Sequence, residues 1–138
     1  MREDITLSDP KHHQPSEFEL IATYFKDITG QAGVALGIGD DAAVINTSAN
    51  HQLVVASDTL VEGVHFPVTA SGAQIATRSL CVNLSDMAAM GAQPRWFTLA
   101  LTLPEEKANS VWLADFSAGL SEIANQFNIA LVGGDTTS

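Results

Sequence analysis

The sequence predicts an α/β (α+β) domain: a mixed β-sheet of about four strands with helices on one face. Three observations lead there. Residues 72–91, and the series Leu113, Phe116, Leu120, Ile123, Ala124 and Phe127, are apolar at helical spacing. Residues 95–103 and 129–132 are compact runs of strand formers. The chain has 138 residues and 46% hydrophobic content, enough for one domain with its own core.

The elements follow in order. Residues 1–15 read as a flexible polar arm holding His12, His13, Pro10 and Pro15. The domain proper is expected over 16–138. Ser16 and Glu19 form a capping-box pattern. Phe18, Ile21, Tyr24, Phe25 and Ile28 continue it at helical spacing, and Gly30 ends the helix. Residues 42–46 and 52–57 read as strands joined by a turn over 47–50. Helix 72–91 is closed by Gly91 and followed by Pro94. Strand 95–103 is ended by Pro104, and the second long helix then leads to strand 129–132. That strand runs into a glycine turn at Gly133 and Gly134.

Composition excludes several classes. Sixteen acidic against six basic residues give a formal net charge of −10. Nucleic acids and anionic membranes call for a basic footprint, so neither is an expected partner. Nucleotides stay possible because a divalent metal can supply the neutralising charge. The one cysteine, Cys81, excludes an internal disulfide and fits a reducing cytoplasm; its apolar setting predicts a small core residue. No apolar stretch reaches the length of a membrane span.

Four segments carry the chemistry: Gly37-Ile38-Gly39-Asp40-Asp41, Ala56-Ser57-Asp58-Thr59, Asn83-Leu84-Ser85-Asp86 and Gly133-Gly134-Asp135-Thr136-Thr137. Each sets an aspartate among small or hydroxyl residues, with no base inside. Clustered carboxylates repel unless something positive joins them. Oxygen ligands from Asp, Ser and Thr suit Mg²⁺, which is usually held by a few carboxylates together with water and substrate phosphates. Glycines in the first and last segments allow close backbone approach. Asp58 is expected at a strand end, a common ligand position. Asp86 lies in an otherwise apolar helix, on the same face as Asn83. His65 follows Asp58 closely and is a candidate hydrogen-bond donor to a substrate phosphate. Walker-type and protein-kinase motifs are both lacking.

The four segments in this order, with Val-Glu-Gly-Val-His-Phe after the second, resemble the thiamine-monophosphate kinases of the aminoimidazole ribonucleotide synthetase superfamily. The resemblance covers nearly all of the chain beyond the arm and only the N-terminal half of that family. It implies ATP-dependent phosphorylation of thiamine monophosphate to thiamine diphosphate by direct in-line transfer. It also implies several Mg²⁺ ions held by Asp40, Ser57, Asp58, Asp86 and Asp135. Gly134 and Asp135 would meet the ATP phosphates, and His65 the substrate. Catalysis would be electrostatic, with no covalent residue; Asp41 is adjacent to the set. Ala56 departs from the family, where Ser or Thr is frequent. The fold implied is the superfamily's N-terminal domain, its sheet pairing across a homodimer, in the cytoplasm. The C-terminal domain is absent from this chain, so turnover by the chain alone is not expected. Alternatives are another superfamily enzyme, such as an aminoimidazole ribonucleotide synthetase, or a non-catalytic metal-binding dimerisation module. A selenophosphate synthetase would want a reactive cysteine near the N-terminus, and none precedes Cys81.

Overall fold

A computed structural model describes residues 17–28, 33–104 and 107–137. The polar arm, Ser16 and Gly30 lie outside these residues. The order of elements is α1 (Glu17–Leu20), widening into one π-helical turn (Ile21–Phe25), β1 (Val34–Leu36), β2 (Val44–Ile45), α2 (Gly72–Ala89), β3 (Trp96–Thr102), α3 (Ser110–Phe127) and β4 (Ala130–Thr137). The mixed α and β class stands. The four strands form two ladders rather than one sheet: β1 and β2 pair antiparallel, β3 and β4 parallel.

Both long helices are fixed by their ends. Ser71 Oγ accepts from Gln74 N while Gln74 Oε1 accepts from Ser71 N, a reciprocal cap on α2. Gly91, at φ 64°, turns the chain out after Met90. Asn109 caps α3 by accepting from Trp112 N at 3.0 Å. Asn128 ends it in the left-handed region, at φ 53° and ψ 51°.

The core lies between the helices and one face of β3–β4. Ile75, Ala76 and Leu80 of α2 meet Phe116, Leu120, Ile123 and Ala124 of α3, with Phe25, Ile28, Ile129 and Leu131 completing the cluster. Phe97, Leu99 and Leu101 pack against it from β3. Thr98, Ala100 and Thr102 alternate with them and stay exposed.

The helices cross at small residues. A Cβ added at Gly119 would lie 2.6 Å from Ala73 Cα, and one at Gly72 would lie 2.8 Å from Phe116 N. Asp115 Oδ2 accepts from Ala73 N at 2.9 Å and satisfies a first-turn amide of α2 from its neighbour. Gly119→Ala should therefore force the helices apart. Thermal unfolding should show a loss of ~1–3 kcal/mol, the usual range for overpacking; an unchanged midpoint would contradict this crossing.

Three sequence expectations are corrected. Residues 52–57 carry no regular secondary structure and join no ladder among the described residues. Strand formers need a partner strand, and here Leu53 and Val55 remain 61% and 79% exposed. The first strand is instead β1, too short and too closely flanked by glycines to read by pattern. The last strand does not stop at Val132 before a turn. It runs on to Thr137, because β3 is long enough to pair with all of it. Cys81 is exposed rather than in the core; the buried seam of α2 runs through Ile75, Ala76 and Leu80, and Cys81 turns away from it.

β4 carries one irregularity. Phe97 pairs with Leu131, but Thr98 pairs with Gly133, leaving Val132 as an extra residue. Leu131 belongs to the core cluster, whereas Asp135 pairs with Ala100 and is exposed.

Candidate functional site

The candidate residues sit on four different supports. Asp40 and Asp41 occupy the connection between β1 and β2. Gly39 holds φ 119° there and leaves open space where a side chain would stand, so the conformation itself requires glycine. Asp40 Oδ1 accepts from Asp41 N at 2.9 Å, which fixes one carboxylate oxygen and leaves the other free to bind.

Ser57 and Asp58 lie in the exposed segment without regular structure, not at a strand end. Asp135 lies within β4, on the face turned away from the helices, beside Thr137, whose Oγ1 meets Thr102 Oγ1 at 3.0 Å. A Cβ at Gly134 would fall 1.8 Å from Leu99 O, so the backbone of β4 passes hard against β3 just before that carboxylate.

Asp86 is exposed in the last turn of α2. Its companion Asn83 turns back to the helix, its Nδ2 donating to Ser79 O at 3.0 Å. The C-terminal end of a helix carries partial negative charge, which disfavours a carboxylate there. No basic residue lies in that turn. Asp86 therefore occupies a position that an external cation would stabilise.

Among the described residues, no three acidic, histidine or cysteine side chains converge as a ready-made metal cage. The donor chemistry nonetheless fits Mg²⁺. This ion takes hard oxygen ligands and is usually held by one or two carboxylates plus water and substrate phosphates rather than by an all-protein shell.

His65 stands in a tight turn. Gly63, at φ 76°, donates to Phe66 O at 2.8 Å, and His65 N donates to Val61 O at 2.9 Å. The imidazole Nδ1 accepts from Val61 N at 2.9 Å. Glu62 in the same turn is ion-paired with Lys107, just before α3. Sequence reasoning did not single out this pair. Its members lie 45 residues apart, so no local spacing announces it. Lys107 is one of only six bases in the chain, the one signal that would have drawn attention to it.

The helices of the described residues are not long and apolar enough to cross a membrane.

Comparison with known proteins agrees with the resemblance. The chain is 48% identical over 122 residues to thiamine-monophosphate kinase of Escherichia coli K12 and 47% identical to that of Haemophilus influenzae. It is 45% identical to that of Buchnera aphidicola from Acyrthosiphon pisum. In each case 88% of this chain is covered, and it spans 37% of the relative's length. Residues 39–138 match the family described as AIR synthase related protein, N-terminal domain. With that match taking in the aspartates of all four segments, the chain belongs to the AIR synthase related family, as an N-terminal domain.

Proposed function

We propose that this chain is the metal- and nucleotide-binding part of a kinase that transfers the γ-phosphoryl group of ATP to the phosphate of thiamine monophosphate, giving thiamine diphosphate. The observation that carries the reading is 45–48% identity to proteins of that name across 88% of the chain. Asp40, Asp58, Asp86 and Asp135 would hold Mg²⁺, with Ser57 adding an oxygen. Bound there, Mg²⁺ would neutralise phosphate charge and the charge that develops during transfer.

The chain's own residues bind and orient. Gly134 brings bare backbone close to the ATP phosphates, with Asp135 beside it. His65 contacts the substrate. Attack is direct and in line, without a phosphorylated protein intermediate. A surface of net charge −10 suits nucleotide that arrives with its metal rather than as a free anion.

A second copy of this chain is the proposed partner. Parallel sheets are usually covered on both faces, yet β3–β4 is covered on one. Leu53, Val55 and Val64 are 61%, 79% and 75% exposed and are apolar surface that a second copy would cover. A cytoplasmic site of action belongs to the same reading.

The test is the intact full-length protein supplied with ATP, Mg²⁺ and thiamine monophosphate. Stoichiometric ADP and thiamine diphosphate are expected. Failure to form thiamine diphosphate would overturn the kinase reading and return the choice to another ATP-using activity or a non-catalytic module.

A further inference from the structure

Two observations meet at His65. A backbone N–H can only donate, so Val61 N at 2.9 Å requires a bare, accepting Nδ1. A neutral imidazole with bare Nδ1 carries its proton on Nε2. The turn that sets this geometry is closed by bonds from Gly63 N to Phe66 O and from His65 N to Val61 O. Its Glu62 is held from outside by Lys107, whose own backbone N bonds to Pro104 O at 2.9 Å, immediately after β3 and Leu103. Leu103 N in turn bonds to Thr137 O at 3.0 Å, at the end of the strand that carries Asp135. A continuous chain of contacts therefore links the end of β4 to the imidazole.

We propose that the Glu62–Lys107 pair is a positioning device that holds His65 as a one-way donor, with Nδ1 occupied by Val61 and Nε2–H presented to an oxyanion of the phosphate class. Lys107 is a positioning residue and touches no substrate. The proposal deepens the kinase reading and rests on it only for the identity of the oxyanion. A ring free to exchange tautomers would offer a donor part of the time and an acceptor, repelled by phosphate oxygens, for the rest. The turn removes that ambiguity before any ligand arrives.

The test is amide hydrogen exchange and ring nitrogen-15 spectroscopy on the chain, with His65 signals assigned by their loss in His65→Phe. In the parent, at a pH where the ring is neutral, Nε2 should be protonated, Nδ1 bare and Val61 N–H protected. Lys107→Met should speed exchange at Val61 by about two- to fivefold, the range a partly exposed ion pair supports. Lys107→Arg should restore the parent rate, and His65→Phe, which deletes the acceptor, should raise it further. Glu62→Gln serves as the second variant, and unchanged exchange at Leu120 within α3 confirms an intact fold. A protonated Nδ1 in the neutral ring, or Val61 exchange indifferent to Lys107→Met and Glu62→Gln, overturns the proposal. Titration with thiamine monophosphate, and with inorganic phosphate alone, probes the underlying reading separately. An Nε2 signal unmoved by either ligand sinks the substrate contact while leaving the ligand-free geometry to its own result.

Discussion

Gly134→Ala should be the most damaging single methyl group in this chain. The added carbon would sit 1.8 Å from Leu99 O, 2.7 Å from Leu99 C and 2.9 Å from Leu99 N. All three are backbone atoms of the paired strand, so no rotamer change relieves the overlap, and β3 and β4 must separate. Separation would break the ladder that anchors Leu131 and the apolar face of β3. Overpacking ordinarily costs ~1–3 kcal/mol, and a backbone collision lies at or beyond the top of that range. A loss of about 3 kcal/mol is a large fraction of the ~5–15 kcal/mol that holds a domain together. The unfolding midpoint should fall by roughly 10 °C. Gly133→Ala is the control, since a side chain there meets nothing within 4 Å. Equal midpoints for the two variants would show that the close approach is not as described.

The second large effect is on activity. Asp58→Asn and Asp86→Asn, each in the full-length protein, should lower any turnover of ATP and thiamine monophosphate well beyond the ~10–100-fold that losing an outer-shell partner of a metal site costs. The stability response separates metal binding from structural damage. Asp58 is exposed and unpaired with any strand, so its replacement should leave the unfolding midpoint within the ~0.5 kcal/mol usual for surface changes. Asp86→Asn should stabilise the metal-free protein by ~0.3–1 kcal/mol, because it removes negative charge from the negative end of α2. A less active but more stable Asp86→Asn protein would be the signature of a carboxylate kept for function. Full turnover in either variant, or destabilisation by Asp86→Asn, would remove that residue from the proposed site.

The long elements were legible in the sequence because periodicity and punctuation agree there. Helix 72–91 is observed as Gly72–Ala89, and strand 95–103 as Trp96–Thr102. Residues 52–57 misled because a run of Leu and Val reports a preference for extended backbone, not the presence of a partner strand. β1 escaped because three residues carry no measurable alternation. The aspartate segments were visible as words, yet their supports were not. Asp58 stands on a segment that joins no ladder among the described residues, Asp86 at a helix end and Asp135 inside a strand where a turn was expected. The Glu62–Lys107 pair was hidden for a simpler reason, since contacts between distant residues leave no trace in local spacing.

The extra residue at Val132 has a consequence for how this chain can vary. Side chains in a strand have parity: counting in twos from Leu131 lands on Asp135, so an unbroken β4 would drive that carboxylate into the same oily layer as Leu131. The bulge is a phase change that lets one eight-residue strand serve hydrophobic packing at its start and a solvent-facing charge at its end. Val132 is buried, so apolar side chains of similar size keep both that count and the packing, whereas losing the position altogether cannot. The chain should thus tolerate conservative apolar substitution at this point far better than any change in its length, and the place of Asp135 is written in a number of residues as much as in their identity.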